Sequence, residues 1–372
     1  MIVPIVLGFY VLVCVGVVLF NCWKVVSEKV YRRSFERRKK DDLRWLEDLM
    51  RRPVPPTEDE QAEMVEKMTR SLRSNHAVLA FHAAMEEAEK ADPKAFGPCL
   101  PLVAEVIQRL YPFYADRSAQ KQAYYSFLVT RFQMMKYAPS ERVTAYLLEQ
   151  IRAAKSLYNL ENALRAVYSS GQLSLVLRAL RALDGKDGIL LHEKLLVDGL
   201  LTFDDREALI AALWEQLPLC STQMCRLLLD YIRFASGAWG EQMLSLLERT
   251  DELELRIACL RYLGKYPDER FRVSIYQLTE ESQSAEWELC AVCMTALAAY
   301  PGDETLRLLK QGLCSPSWYV RYNAALSLRV LEVGTEQLQD ILTGDDRYAR
   351  EMLQYRLGLT AAAETEKEAV PV

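Results

Sequence analysis

Apolar side chains recur at every third or fourth position through most of this chain, in segments of about three to four helical turns separated by short polar stretches. Leu160-x-x-x-Leu164-x-x-Val167-Tyr168 and Leu209-x-x-x-Leu213-x-x-x-Leu217 are examples. That period places such residues on one face of an α-helix. The turns carry Gly171, Asp184-Gly185, Asp204-Asp205, Pro267-Asp268, Pro301-Gly302 and Pro316, residue types that punctuate helices. From Thr57 to Leu359 no alternating strand pattern stands out, so the pattern predicts an all-α fold.

The segments also repeat. Aligning Leu255, Leu289 and Val320 brings Cys259, Cys293 and Ala324 into one column and Leu263, Leu297 and Leu328 into another. The two steps are nearly equal, and a slightly shorter one continues the series to Ala349, Leu353 and Leu357. Upstream, helix starts near Tyr158, Ile189 and Ser221 keep a similar spacing. Such a period predicts stacked helical hairpins, each burying its apolar face on its neighbours.

The residues in these columns carry a family resemblance. Ser317-Trp318-Tyr319-Val320-Arg321-Tyr322-Asn323-Ala324-Ala325-Leu326-Ser327-Leu328 resembles the second helix of a HEAT repeat: a polar turn, Val-Arg, two residues, a small pair and a Leu. Asp345 to Arg350 resembles the start of the following repeat, and Glu254-Leu255-Arg256-Ile257-Ala258 fits an earlier one. Trp287-Glu288-Leu289-Cys290 departs from the pattern, with Cys290 where the arginine belongs. The resemblance covers about residues 250–358; between 75 and 250 only period and helical pattern remain, and TPR-like hairpins are an alternative there. It implies a right-handed α-solenoid whose second helices line the concave surface. It also implies that Arg256, Arg321 and Arg350 pair with acidic turn residues to lock neighbouring repeats.

The start of the chain breaks the periodicity. Ile2 to Trp23 is an unbroken run of uncharged, mostly aliphatic residues. As a helix the run reaches roughly 33 Å, enough to cross a hydrocarbon core of about 30 Å. A cleaved signal peptide fits poorly, because the run is long, lacks a basic n-region and ends Asn21-Cys22-Trp23. A dense basic stretch follows directly: Lys24, Lys29, Arg32, Arg33, Arg37, Arg38, Lys39 and Lys40. This bias predicts a single-pass cell-membrane anchor with the amino end outside and the rest cytoplasmic. Helix is expected to continue as a charged stalk to about Arg52, where Pro53, Pro55 and Pro56 break it. Thr57 and Glu60 then offer a capping box for the next helix. The expected organisation is an anchor over 1–23, a basic stalk over 24–56, helical repeats over 57–359 and a disordered tail over 360–372.

The formal charge of −5 hides an asymmetry, since residues 53–372 hold 35 basic and 45 acidic side chains. A basic collar on an acidic body suits topology and anionic lipid headgroups, through Lys29, Arg32, Arg33, Arg37, Arg38, Lys39 and Lys40, and argues against nucleic acid. The chain has nine cysteines, and reduced thiols serving as small core residues are the expectation where the body is cytoplasmic. Cys290-x-x-Cys293 lies inside a repeat helix, away from the strand-to-helix setting of a redox pair, and lacks the further ligands of a zinc site. His76, His82 and His192 are too dispersed for a metal cluster or a nucleophile–base pair, and no nucleotide or hydrolase fingerprint is present. No catalytic residue, cofactor or metal is therefore expected.

Aromatic residues give a different signal. Trp287 and Trp318 stand one repeat apart at matching positions of successive second helices, with Tyr319 and Tyr322 nearby. They are either binding anchors on a concave surface or caps on the seam of each repeat. Tyr111, Phe113, Tyr114, Tyr124, Tyr125, Phe127 and Phe132 form a second cluster, expected mostly in the core. The expected function is a membrane-tethered, non-catalytic scaffold or regulator of a membrane-associated protein partner. The alternatives are a HEAT-like accessory lyase, with Cys290 as its one testable nucleophile, and an adaptor that binds anionic lipid through the basic collar.

Overall fold

Every regular element among the described residues is a helix. The structure, a computed structural model, describes residues 2–154, 156–184, 193–282 and 286–358, without the side chains of residues 2–7, 9 and 11. The expected helix start at Ile189, His192 and the tail expected over 360–372 lie outside the described residues. The chain divides into two compact units, Met1–Leu190 and Leu191–Val372, a boundary the sequence pattern does not mark.

In the first unit, a single helix of 49 residues runs from Ile2 to Met50 and stops just before the prolines. Thr57 then starts the Glu58–Ser71 helix. Its hydroxyl accepts from the Glu60 amide at 3.4 Å, and the Glu60 carboxylate accepts from the Thr57 amide at 3.2 Å, the reciprocal capping box.

The far half of the long helix is no free stalk. It packs on the Asn75–Ala91 helix, with Leu46 and Leu49 buried and the Trp45 and Phe81 ring centroids 6.1 Å apart. Leu43, Trp45, Leu46, Leu49 and Met50 form an apolar stripe within the charged sequence, and Tyr31 and Phe35 on His76 and Lys39 on Glu87 extend the contact up the same helix.

Among the described residues, no helix is long and apolar enough to cross a membrane. The span expected over Ile2–Trp23 rests partly on side chains outside those described, and the structure does not support it as a finding.

Elsewhere in this unit the Leu157–Tyr168 helix packs on both Ala119–Arg131 and Glu141–Ala153. The expected aromatic cluster divides in two. Tyr114 stacks on Tyr125 at 5.3 Å, and Tyr125 meets Tyr146 edge-on at 5.3 Å, with all three rings buried. Tyr124, Phe127 and Phe132 gather instead around His82.

The second unit is a succession of hairpins. Helices Thr222–Ala235, Leu253–Lys265, Trp287–Leu297, Trp318–Val330 and Arg347–Leu357 each pack on the next. Gly240–Arg249, Arg272–Ser282 and Asp303–Leu313 each pack on the helix that follows them.

The sequence columns are the packed seam. Cys259, Cys293 and Ala324 are fully buried, as are Leu263, Leu297 and Leu328. Each buried leucine contributes about 1.5–3 kcal/mol of transfer free energy. Leu255, Leu289, Val320, Ala349 and Leu353 are buried too, and only Leu357 at the end of the series is half-buried.

Polar links cross the same seam. Asn323 Nδ2 donates to the Ala291 carbonyl at 2.9 Å, and Ser327 Oγ donates to the Met294 carbonyl at 2.8 Å. A Cβ at Gly312 would lie 2.3 Å from Met294 Sδ and 3.2 Å from Ala324 Cβ, so any side chain there would first have to displace the flexible Met294 thioether.

Candidate functional site

Trp318 and Trp287 are each the first residue of their helices. Val320 and Ala324 turn into the seam, so helical geometry turns Trp318, Tyr319 and Tyr322 away from it. The four predicted residues come together as one chain of rings. Trp287 stacks on Tyr319 at 5.3 Å, Tyr319 meets Trp318 edge-on at 5.2 Å, and Trp318 stacks on Tyr322 at 4.9 Å. The first of these contacts crosses hairpins, while the Trp318–Tyr322 stack is an i,i+4 pair on one helix.

These rings are partly exposed. Trp287, Trp318 and Tyr319 are 47%, 51% and 57% exposed. They cover one another and leave about half their surface to solvent.

The stripe continues beyond the predicted residues. The Arg356 guanidinium carbon lies 3.6 Å from the centre of the Tyr322 ring and 5.6 Å from that of Tyr355. Arg321 lies 5.4 Å from the Tyr348 ring. Tyr348 and Tyr355 are themselves exposed. Tyr348 occupies the same column as Tyr319, so the repeat could have identified it. Arg356 stands outside the aligned columns and had no comparable signal.

The expected arginine ladder holds at one position of three. Arg256 Nη1 pairs with Glu286 at 2.9 Å, across the step to the next helix. Arg321 instead donates to the Ser315 and Pro316 carbonyls at 2.6 and 3.0 Å, and Arg350 to the Gly344 carbonyl at 2.7 Å. In both cases the guanidinium satisfies carbonyls of the turn before its own helix; in the turn before Arg350 the carboxylate of Asp346 is taken up by the Tyr348 and Ala349 amides.

The basic collar also divides. Arg38 bonds Asp42 at 3.0 Å and Ser71 at 2.7 Å, and Lys39 pairs with Glu87, so both serve the fold of the first unit. Lys29, Arg32, Arg33, Arg37 and Lys40 remain exposed.

The thiols of the repeat seam show little nucleophilic character. Cys290 and Cys293 are buried, and burial pushes the Cys290 thiol up and that of Cys293 up to about 12. Cys259 is likewise raised by burial to about 12. A thiol so raised stays protonated near neutral pH, which disfavours Cys290 as a nucleophile. Among the described residues no cysteine forms a disulfide, and no group of three or more His, Cys, Asp or Glu side chains could hold a metal ion.

His82 is held by its own surroundings. Its Nδ1 lies 3.0 Å from the Tyr124 hydroxyl, and its Nε2 lies 3.4 Å from Glu86. His76 packs edge-on against Tyr31 and Phe35.

No protein-family model matches this chain, and no curated protein matches it.

Proposed function

We propose that this chain is a non-catalytic scaffold or regulator that binds a protein partner through the aromatic stripe of its second unit. One observation carries the reading: Trp287, Trp318, Tyr319 and Tyr322 form a continuous, half-exposed array whose members hold one another in place. Aromatic rings fixed in this way bury large areas on binding at little further entropic cost. In this reading the hairpins are HEAT-like repeats of a right-handed solenoid, and the stripe lies on the concave side that their second helices line.

The reading also includes a membrane tether with the body on the cytoplasmic side. It rests on the uncharged run from Ile2 to Trp23 and the basic residues after it. The described side chains from Leu12 to Phe20 agree with it, because their large apolar members are 45–70% exposed on every side of the helix. A surrounding medium covers such a helix more readily than a single protein face does. The exposed Lys29, Arg32, Arg33, Arg37 and Lys40 favour anionic headgroups beside the tether.

The test is in-cell crosslinking and mass spectrometry on the full chain and on its Trp287→Ala, Trp318→Ala double variant. A chain cut at Pro53 would lose Leu46 and Leu49 from its core, so full length is required. The expected result is one stoichiometric protein, crosslinked near residues 287–322 and lost from the variant at unchanged thermal stability. Equal capture by both proteins would remove the stripe as the binding surface, and an equal loss of stability would assign the tryptophans to packing.

A further inference from the structure

Charge runs against the body's average beside the aromatic stripe. The helices Trp318–Val330 and Arg347–Leu357 hold five arginines and a single carboxylate, Glu351. The body as a whole has more acids than bases.

Most acids nearby are already engaged. Glu351 bonds Arg347 at 2.6 Å, Glu286 pairs with Arg256, and Asp346 caps the Tyr348 and Ala349 amides. Glu288, half-buried, directly follows Trp287 as Glu286 directly precedes it.

Arg321, Arg350 and Arg356, by contrast, have no carboxylate partner among the described residues. Their contacts are turn carbonyls and tyrosine faces. The Nε atoms of Arg321 and Arg356 are buried without a hydrogen-bond partner. The first turn of the Trp318 helix also lacks a side-chain cap, which adds positive potential at the same place.

We infer that the stripe takes an acidic peptide segment of the partner, in which carboxylates are interspersed with apolar or aromatic side chains. This rests on the protein-binding reading above. The apolar side chains lie against Trp287, Tyr319, Trp318 and Tyr322, and the carboxylates meet Arg356 and the outer edges of Arg321 and Arg350. Arginine stacked on tyrosine keeps its planar fork oriented for a carboxylate. Three helices spaced roughly 10 Å apart give a path of about 20 Å, the length of about six extended residues.

The test is selection of random peptides of about 12 residues, twice that path, against the full-length protein. Anisotropy of the enriched peptides then follows on wild type, Trp318→Ala and Arg356→Gln, with a melting curve for each. Tyr319→Ala replaces Trp318→Ala if the latter melts early.

The expected result is acidic, aromatic-containing peptides that lose about tenfold in affinity in each variant and weaken as salt rises. Neutral or basic peptides still weakened by Trp318→Ala would overturn the acidic occupant and leave protein binding by the stripe standing. Peptides indifferent to both aromatic substitutions would overturn the two readings together. Phosphatidylserine vesicles bound through Arg356, with no peptide enriched, would replace the peptide with a lipid surface.

Discussion

His82 shows how burial, as the leading cause, can give one residue a pH response. Desolvation lowers its pKa from 6.5, Arg131 lowers it further, and Glu86 opposes both. Tyr124 and Phe127 from the Ala119–Arg131 helix, with Phe132 just beyond it, enclose the ring. A depressed pKa means that unfolding takes up a proton in the window just below pH 6.5, so stability falls as pH drops through that window. Urea unfolding above and below pH 6.5 is expected to show this loss, and His82→Gln to flatten it; an unchanged slope in the variant would assign the pH response to other groups. The thiols of Cys259 and Cys293 make the complementary case. Their place in the seam was legible in the sequence, because a small residue recurring in one column of a repeat has little alternative but the core. The role of Arg356 was not legible, since it depends on Tyr322 of the preceding hairpin lying beneath it.

At the scale of the element, the turns carry what periodicity does not show. Val-Arg at the start of a repeat helix identifies a charged side chain but not its acceptor. Arg256 meets Glu286, whereas Arg321 and Arg350 donate to turn carbonyls and Arg321 also lies over the Tyr348 ring. Arg321→Gln would leave the Ser315 and Pro316 carbonyls without their donor and is expected to cost about 1–3 kcal/mol in urea unfolding. Arg321→Lys is expected to recover only part of it, because one ammonium lacks the fork's geometry. Full recovery would mean that charge, rather than the fork, holds the turn. The Ile2–Met50 helix gives the opposite lesson. Its length and its end near the prolines could be read from the sequence, but its many charges masked the apolar stripe that buries Leu46 and Leu49.

Across the whole molecule, the two units provide separate cores for two substitutions. Leu46→Ala and Leu328→Ala each remove a fully buried side chain, at an expected cost of about 2–5 kcal/mol. Hydrogen exchange read by mass spectrometry is expected to show faster exchange within Met1–Leu190 for the first and within Leu191–Val372 for the second. Faster exchange throughout the chain in either variant would mean that the units unfold as one.

The unbroken first helix also fixes an angular phase. From Asn21 to Met50 it contains neither proline nor glycine, so it has no built-in swivel between its exposed apolar stretch and the buried Leu46 and Leu49. Each residue turns a helix by about 100° and advances it about 1.5 Å. One residue inserted near Ser27 would therefore swing the first unit by more than a quarter turn about that axis, while seven would bring it back almost into phase. Whatever grips the apolar stretch thus sets the compass heading of the first unit, as a key sets a wheel on its shaft.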